Sequence, residues 1–208
     1  MAWTDKEEEL VAAIKAGSIL DTKKALEAGA DVNAKEHYKC TPLMYACANQ
    51  NITPEIIQLL LDHDADINAK ACDGMTALMY ACKNEHAKPE ILHKAIELLV
   101  KYKADLNEIN KDDWTALMYG LNNTNVAQKT NKLLVEKGAD INHHYCWSRE
   151  GLLRMEQKLN AIQREMIADM TKDITELKSQ QARNKFQEKN REKGRLWAVR
   201  LRRGRGCK

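Results

Sequence analysis

The chain has 208 residues, of which 30% are charged and only 5% are aromatic, with a single phenylalanine. This length allows one elongated domain or two small ones, because a soluble core usually uses about 100 to 200 residues. None of its uncharged segments is longer than the 15 residues of 40–54, which carry two prolines. Such a segment cannot span the roughly 30 Å of a bilayer, so the sequence excludes a transmembrane helix.

Charge is distributed unevenly along the chain. Residues 1–147 carry 16 lysines against 22 acidic residues, whereas residues 183–208 carry 11 basic residues against two acidic ones. All ten arginines lie at or after position 149, so we place a boundary near residue 148. The six cysteines are dispersed without a close pair, and no secretory signal opens the sequence. We therefore expect a reducing compartment, either the cytoplasm or, through the basic tail, the nucleus.

Two motifs recur along the first 147 residues with a common period. The first, Thr-x-Leu-Met-Tyr, recurs in steps of 35 and 39 residues, and the second, Ala-Asp-aliphatic-Asn, recurs in steps of 35, 39 and 35. They begin at Thr41, Thr76 and Thr115, and at Ala30, Ala65, Ala104 and Ala139. A fixed period of this length predicts stacked supersecondary units, each too small to bury its own apolar face.

Each unit is predicted to be a pair of short helices. The threonine of the first motif can cap the first helix, and Pro54 can open the second helix of its unit. Aliphatic residues in the second helices recur at spacings of three and four, which indicates one buried stripe. Gly29 and Gly138 can end these helices in a left-handed conformation with little steric cost, because glycine has no Cβ atom. Asp64 and Lys103 stand at the same position in the other units and should carry backbone strain.

The combined pattern resembles the ankyrin repeat, which has a turn, a Thr-Pro-Leu-His helix start, a leucine-rich second helix and a Gly-Ala-Asp-aliphatic-Asn turn. The resemblance implies an all-α solenoid of stacked helix-turn-helix units with β-turn or hairpin loops. Met44, Met79 and Met118 stand where the family usually has histidine, so we expect soft apolar packing there. The expected segments are a capping repeat at 1–35, repeats at 36–70, 71–109 and 110–144, a degenerate cap and long amphipathic helix at 145–182, and a basic tail at 183–208.

The third and fourth units depart from the regular pattern. The third has four additional residues, which alignment places at the start of its outer helix, where they should add about one turn, roughly 6 Å. The fourth has Thr130 and Asn131 at the positions of Ile56 and Ile57 in the second unit. Losing a buried aliphatic contact costs on the order of 1 to 3 kcal/mol, so we expect the fourth repeat to open early.

Apolar residues recur at spacings of three and four after the last repeat, along a helix of about 30 residues. They are Leu152, Met155, Leu159, Ile162, Met166, Met170, Ile174 and Leu177. In one interpretation the first half covers the end of the repeat stack and the rest projects or folds back. In the other, the stripe from Leu152 to Leu177 forms a coiled-coil homo-oligomer with a second chain.

The basic tail, residues 183–208, is expected to be disordered or a frayed helix. Its alternative role is association with nucleic acid or an anionic membrane surface, with the repeats as a spacer. Elsewhere the sequence has no spacing typical of a zinc site, a phosphate-binding loop or a nucleophile elbow, and His143, His144 and Cys146 lack a fourth ligand. We therefore expect no enzyme, no cofactor and no bound metal.

The resemblance implies an adaptor or scaffold that binds a protein partner on the concave face made by turn tips and inner helices. Tyr38 and Trp114 are the expected anchors, because large amphipathic rings contribute much of an interface's energy. Aspartates near Trp114 favour a partner with basic side chains. The implied contact residues are His37, Tyr38, Cys40, Ala48, Asn49, Cys72, Asp73, Met75, Lys83, Asn84, Lys111, Asp112, Trp114, Asn122 and Asn123.

Overall fold

The computed structural model describes residues 4–36, 38–141 and 149–203, and all regular secondary structure in these ranges is helical. The chain divides into two units, Met1–Ile162 and Gln163–Lys208. None of the described helices combines the length and the apolar character that a membrane span requires. The helices are α1 (Asp5–Ala16), α2 (Ile19–Glu27), α3 (Pro42–Ala48), α4 (Pro54–Asp62), α5 (Ala77–Lys83), α6 (Pro89–Lys101), α7 (Ala116–Asn122), α8 (Gln128–Glu136) and α9 (Arg149–Arg203).

The first eight helices form two layers within the first unit. Helices α1, α3, α5 and α7 pack on one another in chain order as the inner layer, and α2, α4, α6 and α8 do the same as the outer layer. Each inner helix also packs on the outer helix that follows it. This arrangement lets neighbouring pairs bury one another's apolar sides, and it confirms the all-α stack predicted from the repeat period.

Local sequence determines where the inner helices begin. Thr41, Thr76 and Thr115 have extended backbone at the N-cap, and each side-chain oxygen accepts a backbone N–H three residues later at 3.3 to 3.4 Å. Pro54 and Pro89 occupy the first turns of two outer helices, where a missing N–H costs nothing. The predicted helix starts are confirmed at these positions.

The methionines of the first motif contribute more than the expected apolar packing. Met44 and Met118 are 1% and 2% exposed. Their Sδ atoms lie 3.4 Å from the backbone nitrogens of Thr41 and Thr115, respectively. Because a thioether is a weak acceptor, methionine supplies a weak polar contact where the family usually has histidine.

The third repeat contains a longer outer helix, as predicted. Helix α6 has 13 residues, whereas α4 has nine. The left-handed positions after the outer helices are also confirmed, with φ of 62° at Asp64 and 69° at Lys103, beside 85° at Gly29 and 101° at Gly138. The two non-glycine residues accept a steric cost that the two glycines avoid.

The fourth repeat replaces aliphatic anchors with a buried polar pair on α8. Thr130 and Asn131 are 1% and 4% exposed. The hydroxyl of Thr130 lies 2.8 Å from His93 Nδ1 on α6, and Asn131 Nδ2 donates to the Gly120 carbonyl at 3.2 Å. Asn131 Oδ1 has no hydrogen-bond partner among the described residues. A buried polar atom left unpaired costs about 1 to 3 kcal/mol, which supports the expected weakness of this repeat.

Gly120 makes room for this polar pair. The corresponding residues of the two preceding inner helices are Ala46 and Ala81. A Cβ atom at Gly120 would lie 2.4 Å from Asn131 Oδ1, which is far too close for non-bonded atoms. Glycine at 120 and asparagine at 131 are therefore a matched replacement for the alanine and isoleucine of the second and third repeats.

The chain continues into the second unit through α9, which has 55 residues and is longer than predicted. Helical structure extends through positions 183–203, which we expected to be a disordered tail or a frayed helix. Within the first unit, Met155, Leu159 and Ile162 are 3%, 7% and 1% exposed, and the Lys158 ammonium donates to the Leu121 carbonyl on α7. This burial agrees with the interpretation in which the first half of the stripe covers the repeat stack.

We expect Gly120→Ala to lower the free energy of unfolding by about 1 to 3 kcal/mol, because the clash outweighs the gain in helix propensity. The double variant Gly120→Ala/Asn131→Ile should be more stable than the wild type by about 1 to 3 kcal/mol, since it restores the alanine and isoleucine pair. Chemical denaturation measures both values. A double variant no more stable than Gly120→Ala would contradict this explanation.

Candidate functional site

A tight turn precedes each of the helices α3, α5 and α7. We call these the finger turns, and their described residues are 36 and 38–40, 71–75, and 110–114. In the second, the Ala71 N–H donates to the Met75 carbonyl at 3.0 Å, and in the third the Asn110 N–H donates to the Trp114 carbonyl at 3.1 Å. These bonds close the turns, so the side chains at their tips are held on a fixed backbone.

Neighbouring finger turns are joined by backbone hydrogen bonds. The Cys72 N–H donates to the Tyr38 carbonyl, and the Lys111 N–H donates to the Asp73 carbonyl, both at 2.8 Å. Each turn contains one residue with left-handed backbone; these are Lys39, Gly74 and Asp113, at φ of 56°, 81° and 57°. The turns therefore share a left-handed position and are paired in register from one repeat to the next.

Tyrosines of the inner helices form hydrogen bonds with residues of the finger turns. The hydroxyl groups of Tyr45, Tyr80 and Tyr119 hydrogen-bond, respectively, to the Glu36 carboxylate, to Cys40 Sγ at 3.7 Å and to Asn110 Nδ2 at 3.0 Å. Burial raises the pKa of all three phenols above the ordinary tyrosine value. These contacts give the tyrosine of the motif a structural role.

Three asparagines at the ends of the inner helices join neighbouring repeats, and we call them the asparagine ladder. Asn49, Asn84 and Asn123 occupy the C-cap positions of α3, α5 and α7. Asn84 Nδ2 donates to the carbonyls of Cys47 and Asn49 in the preceding repeat, at 3.1 and 2.8 Å. Its Oδ1 accepts two backbone N–H groups of the turn that follows. The whole side-chain amide is thus used within the fold.

The same arrangement recurs at the other two positions. Asn123 Nδ2 donates to the carbonyls of Cys82 and Asn84, both at 2.9 Å, and Asn49 Nδ2 donates to two carbonyls near the end of α1. Carbonyls at a helix C-terminus lack partners within the helix. Each asparagine therefore donates to carbonyl groups at the end of the preceding inner helix. These bonds set the distance between that helix and the next inner helix.

The structure places the predicted contact residues in two groups. Met75, Asn84 and Asn123 are 2%, 6% and 3% exposed, because Met75 belongs to the apolar core and both asparagines belong to the ladder. Their side chains therefore offer no surface to a partner. His37 lies outside the described residues. The remaining residues are exposed or half-buried, and we call them the inner face: Tyr38, Cys40, Ala48, Asn49, Cys72, Asp73, Lys83, Lys111, Asp112, Trp114 and Asn122.

An aromatic and charged cluster lies at the third finger turn. The rings of half-buried Trp114 and Tyr119 have centroids 4.9 Å apart, with planes inclined at 45°. Lys83 Nζ lies 5.7 Å from the Tyr119 centroid, within the range of a cation–π contact. Asn110 Oδ1 accepts the backbone N–H groups of both Asp112 and Trp114, at 3.0 and 2.8 Å. Asn110, which no motif in the sequence marks, orients this cluster.

The four described cysteines show no arrangement typical of a metal site. Cys47 and Cys82 are fully buried in inner helices, and burial raises the pKa of Cys82 to about 12 and that of Cys47 further. Both are free thiols that act as small spacers. In the part of the chain that the structure describes, no three His, Cys, Asp or Glu side chains group to hold a metal ion. The predicted cluster of His143, His144 and Cys146 lies outside it.

We expect Asn84→Ala to lower the free energy of unfolding by about 2 to 4 kcal/mol, because two buried carbonyls and two N–H groups lose their partners. Asn122→Ala is the matched control, since the exposed side chain of Asn122 should contribute less than about 0.5 kcal/mol. Urea denaturation monitored by circular dichroism gives both values. Equal losses for the two variants would show that the ladder does not stabilise the stack.

Comparison with known proteins agrees with this architecture. The family model described as ankyrin repeats (3 copies) matches residues 10–92 and 72–145. No curated protein matches the chain significantly. The two matches together cover well over half of the chain and coincide with the stacked helix pairs, so the resemblance inferred from the repeat motifs is confirmed. The chain belongs to the ankyrin repeat family.

Proposed function

We propose that this protein is a non-enzymatic adaptor that binds a protein partner through the inner face. Ankyrin repeats are generally protein–protein interaction modules, and the family is typically non-enzymatic. The observation that most supports this role is the cluster around Trp114, where an accessible aromatic side chain stands on a hydrogen-bonded turn beside exposed charges. A partner can bury such a ring without first ordering the backbone that carries it.

The aromatic residues of the inner face supply its apolar contacts. Tyr38 is 70% exposed at the first finger turn, and Trp114 is half-buried at the third. Tyrosine and tryptophan are enriched among the few residues that carry most of an interface's binding energy. Backbone hydrogen bonds join the first finger turn to the second and the second to the third. This arrangement favours a partner segment that runs along all three turns.

Two aspartates of the inner face suggest the chemistry of the partner. Asp73 and Asp112 are exposed on adjacent finger turns, and the first 147 residues carry six more acidic than basic side chains. Complementary charge increases the association rate and selects among partners. We infer a partner segment in which basic residues flank an apolar or aromatic side chain that reaches Trp114.

Replacing both aromatic anchors tests this function. We expect Trp114→Ala/Tyr38→Ala to weaken partner binding by roughly 30-fold or more, because loss of a central anchor costs about 2 kcal/mol or more. Leu20→Ala is the matched control, since Leu20 is 63% exposed on the outer helix α2. Proteins captured by both the wild type and Leu20→Ala are then titrated against all three forms by calorimetry. Unchanged affinity of the double variant would place the binding site elsewhere.

Removing the two finger-turn charges tests the chemistry of the partner. We expect Asp73→Asn/Asp112→Asn to slow association with the identified partner and to flatten its dependence on ionic strength, because exposed charges steer a basic segment. Surface plasmon resonance at several salt concentrations measures both effects. Asp64→Asn removes a charge outside the inner face at a left-handed position that asparagine tolerates. If Asp64→Asn had the same effect, steering would come from the whole acidic body.

A further inference from the structure

Four large apolar side chains lie exposed along one stretch of the second unit. Ile167, Met170, Ile174 and Leu177 are 64%, 62%, 49% and 62% exposed. Their spacings of three, four and three residues place them on one side of α9. An apolar stripe of this kind in water marks an interaction surface.

The part of the apolar stripe that is exposed on α9 is shorter than the stripe predicted from the sequence. Met155, Leu159 and Ile162 are buried within the first unit and offer no surface to another chain. The side chain of Leu152 lies outside the described residues. Met166 is half-buried, and the exposed part starts at Ile167, a residue that the predicted stripe did not include. The surface for a second chain is therefore confined to Ile167, Met170, Ile174 and Leu177.

These four residues follow the heptad pattern of a two-stranded coiled coil. Ile167 and Ile174 take the a positions, and Met170 and Leu177 take the d positions. β-Branched residues at a with leucine at d favour a parallel dimer. The c and f positions, on the opposite side of the helix, are polar: Asp169, Glu176, Lys172 and Ser179. The stripe thus has the width that one partner helix covers.

Charges beside the stripe are complementary to a second copy of the same segment. Asp173 takes the g position, and Lys178 takes the e position of the following heptad. In a parallel dimer these two positions face each other across the seam, so each Asp173 meets the other chain's Lys178, twice by symmetry. An antiparallel pair would instead bring aspartate near aspartate and lysine near lysine. Neither side chain forms an ion pair with another described residue of its own chain.

We propose that the segment from Ile167 to Leu177 pairs in parallel and in register with the same segment of a second copy of this chain. This inference goes beyond the binding of a partner by the inner face and does not depend on it. The neighbouring a and d positions are polar and exposed, namely Gln163, Gln181 and Asn184. Polar residues at such positions fix the register at a cost in stability, so the dimer is reversible.

The oligomeric state of the full-length chain tests the apolar seam. We expect the molar mass, measured by sedimentation equilibrium, to rise from one chain to two between about 1 and 300 μM, as a short reversible seam requires. Ile174→Glu should keep the protein monomeric over this range, because it places a charge in the seam. Thr175→Glu adds the same charge at the solvent-facing b position and should dimerise like the wild type. A monomeric wild type, or an Ile174→Glu variant that still dimerises, would overturn the proposal.

Charge exchange tests the parallel arrangement. Asp173→Lys and Lys178→Asp should each raise the dissociation constant roughly tenfold, because two attractive pairs become repulsive. An equimolar mixture of the two variants should associate about as tightly as the wild type, since both cross-chain pairs are then attractive. Unchanged association of the single variants, or failure of the mixture to recover, would overturn the parallel pairing. Circular dichroism of each variant confirms that α9 stays helical.

Discussion

The asparagine ladder is the interaction on which the repeat stack depends. Each of α3, α5 and α7 has only seven residues, and such short helices are unstable alone. Asn84 and Asn123 bind the terminal carbonyls of the preceding helix where little solvent reaches them. The asparagines of the Ala-Asp-aliphatic-Asn motif also join neighbouring repeats. Asn33 Oδ1, for example, accepts the Asp66 N–H of the next repeat at 2.7 Å. The spacing set by these bonds lets the finger turns pair and thereby creates the inner face.

The repeats could be predicted from sequence wherever structure follows from local residue type. Pro54 starts a helix because its ring fits the first turn, and Asp64 stands at a position that the period marks as left-handed. The ladder could not be recognised in this way. The resemblance to ankyrin repeats implies that Asn84 and Asn123 contact a partner, and their residue type gives no sign that they are buried. Only the stacked structure shows that the carbonyls of the preceding repeat need their amides.

Long-range pairing accounts for the other features that the sequence did not reveal. Gly120 and Asn131 lie on different helices, and neither residue alone indicates that one makes room for the other. The stripe on α9 has a similar periodicity on both sides of residue 163, yet Ile162 is 1% exposed and Ile167 is 64% exposed. Periodicity identifies the apolar side of a helix, but only packing decides how much of that side is covered.

Dimerisation and partner binding would be coupled because a dimer raises the effective concentration of a second inner face. A dimer carries two inner faces, so a partner with two binding segments gains the effective concentration of the second face once the first is occupied. Such a partner would bind the dimer more tightly than the monomer, and by linkage it would strengthen dimerisation by the same factor. A weak seam suits this coupling, because an assembly that is always dimeric could not respond to a bivalent partner. Recognition by Trp114 and pairing through Ile174 would then act as one equilibrium.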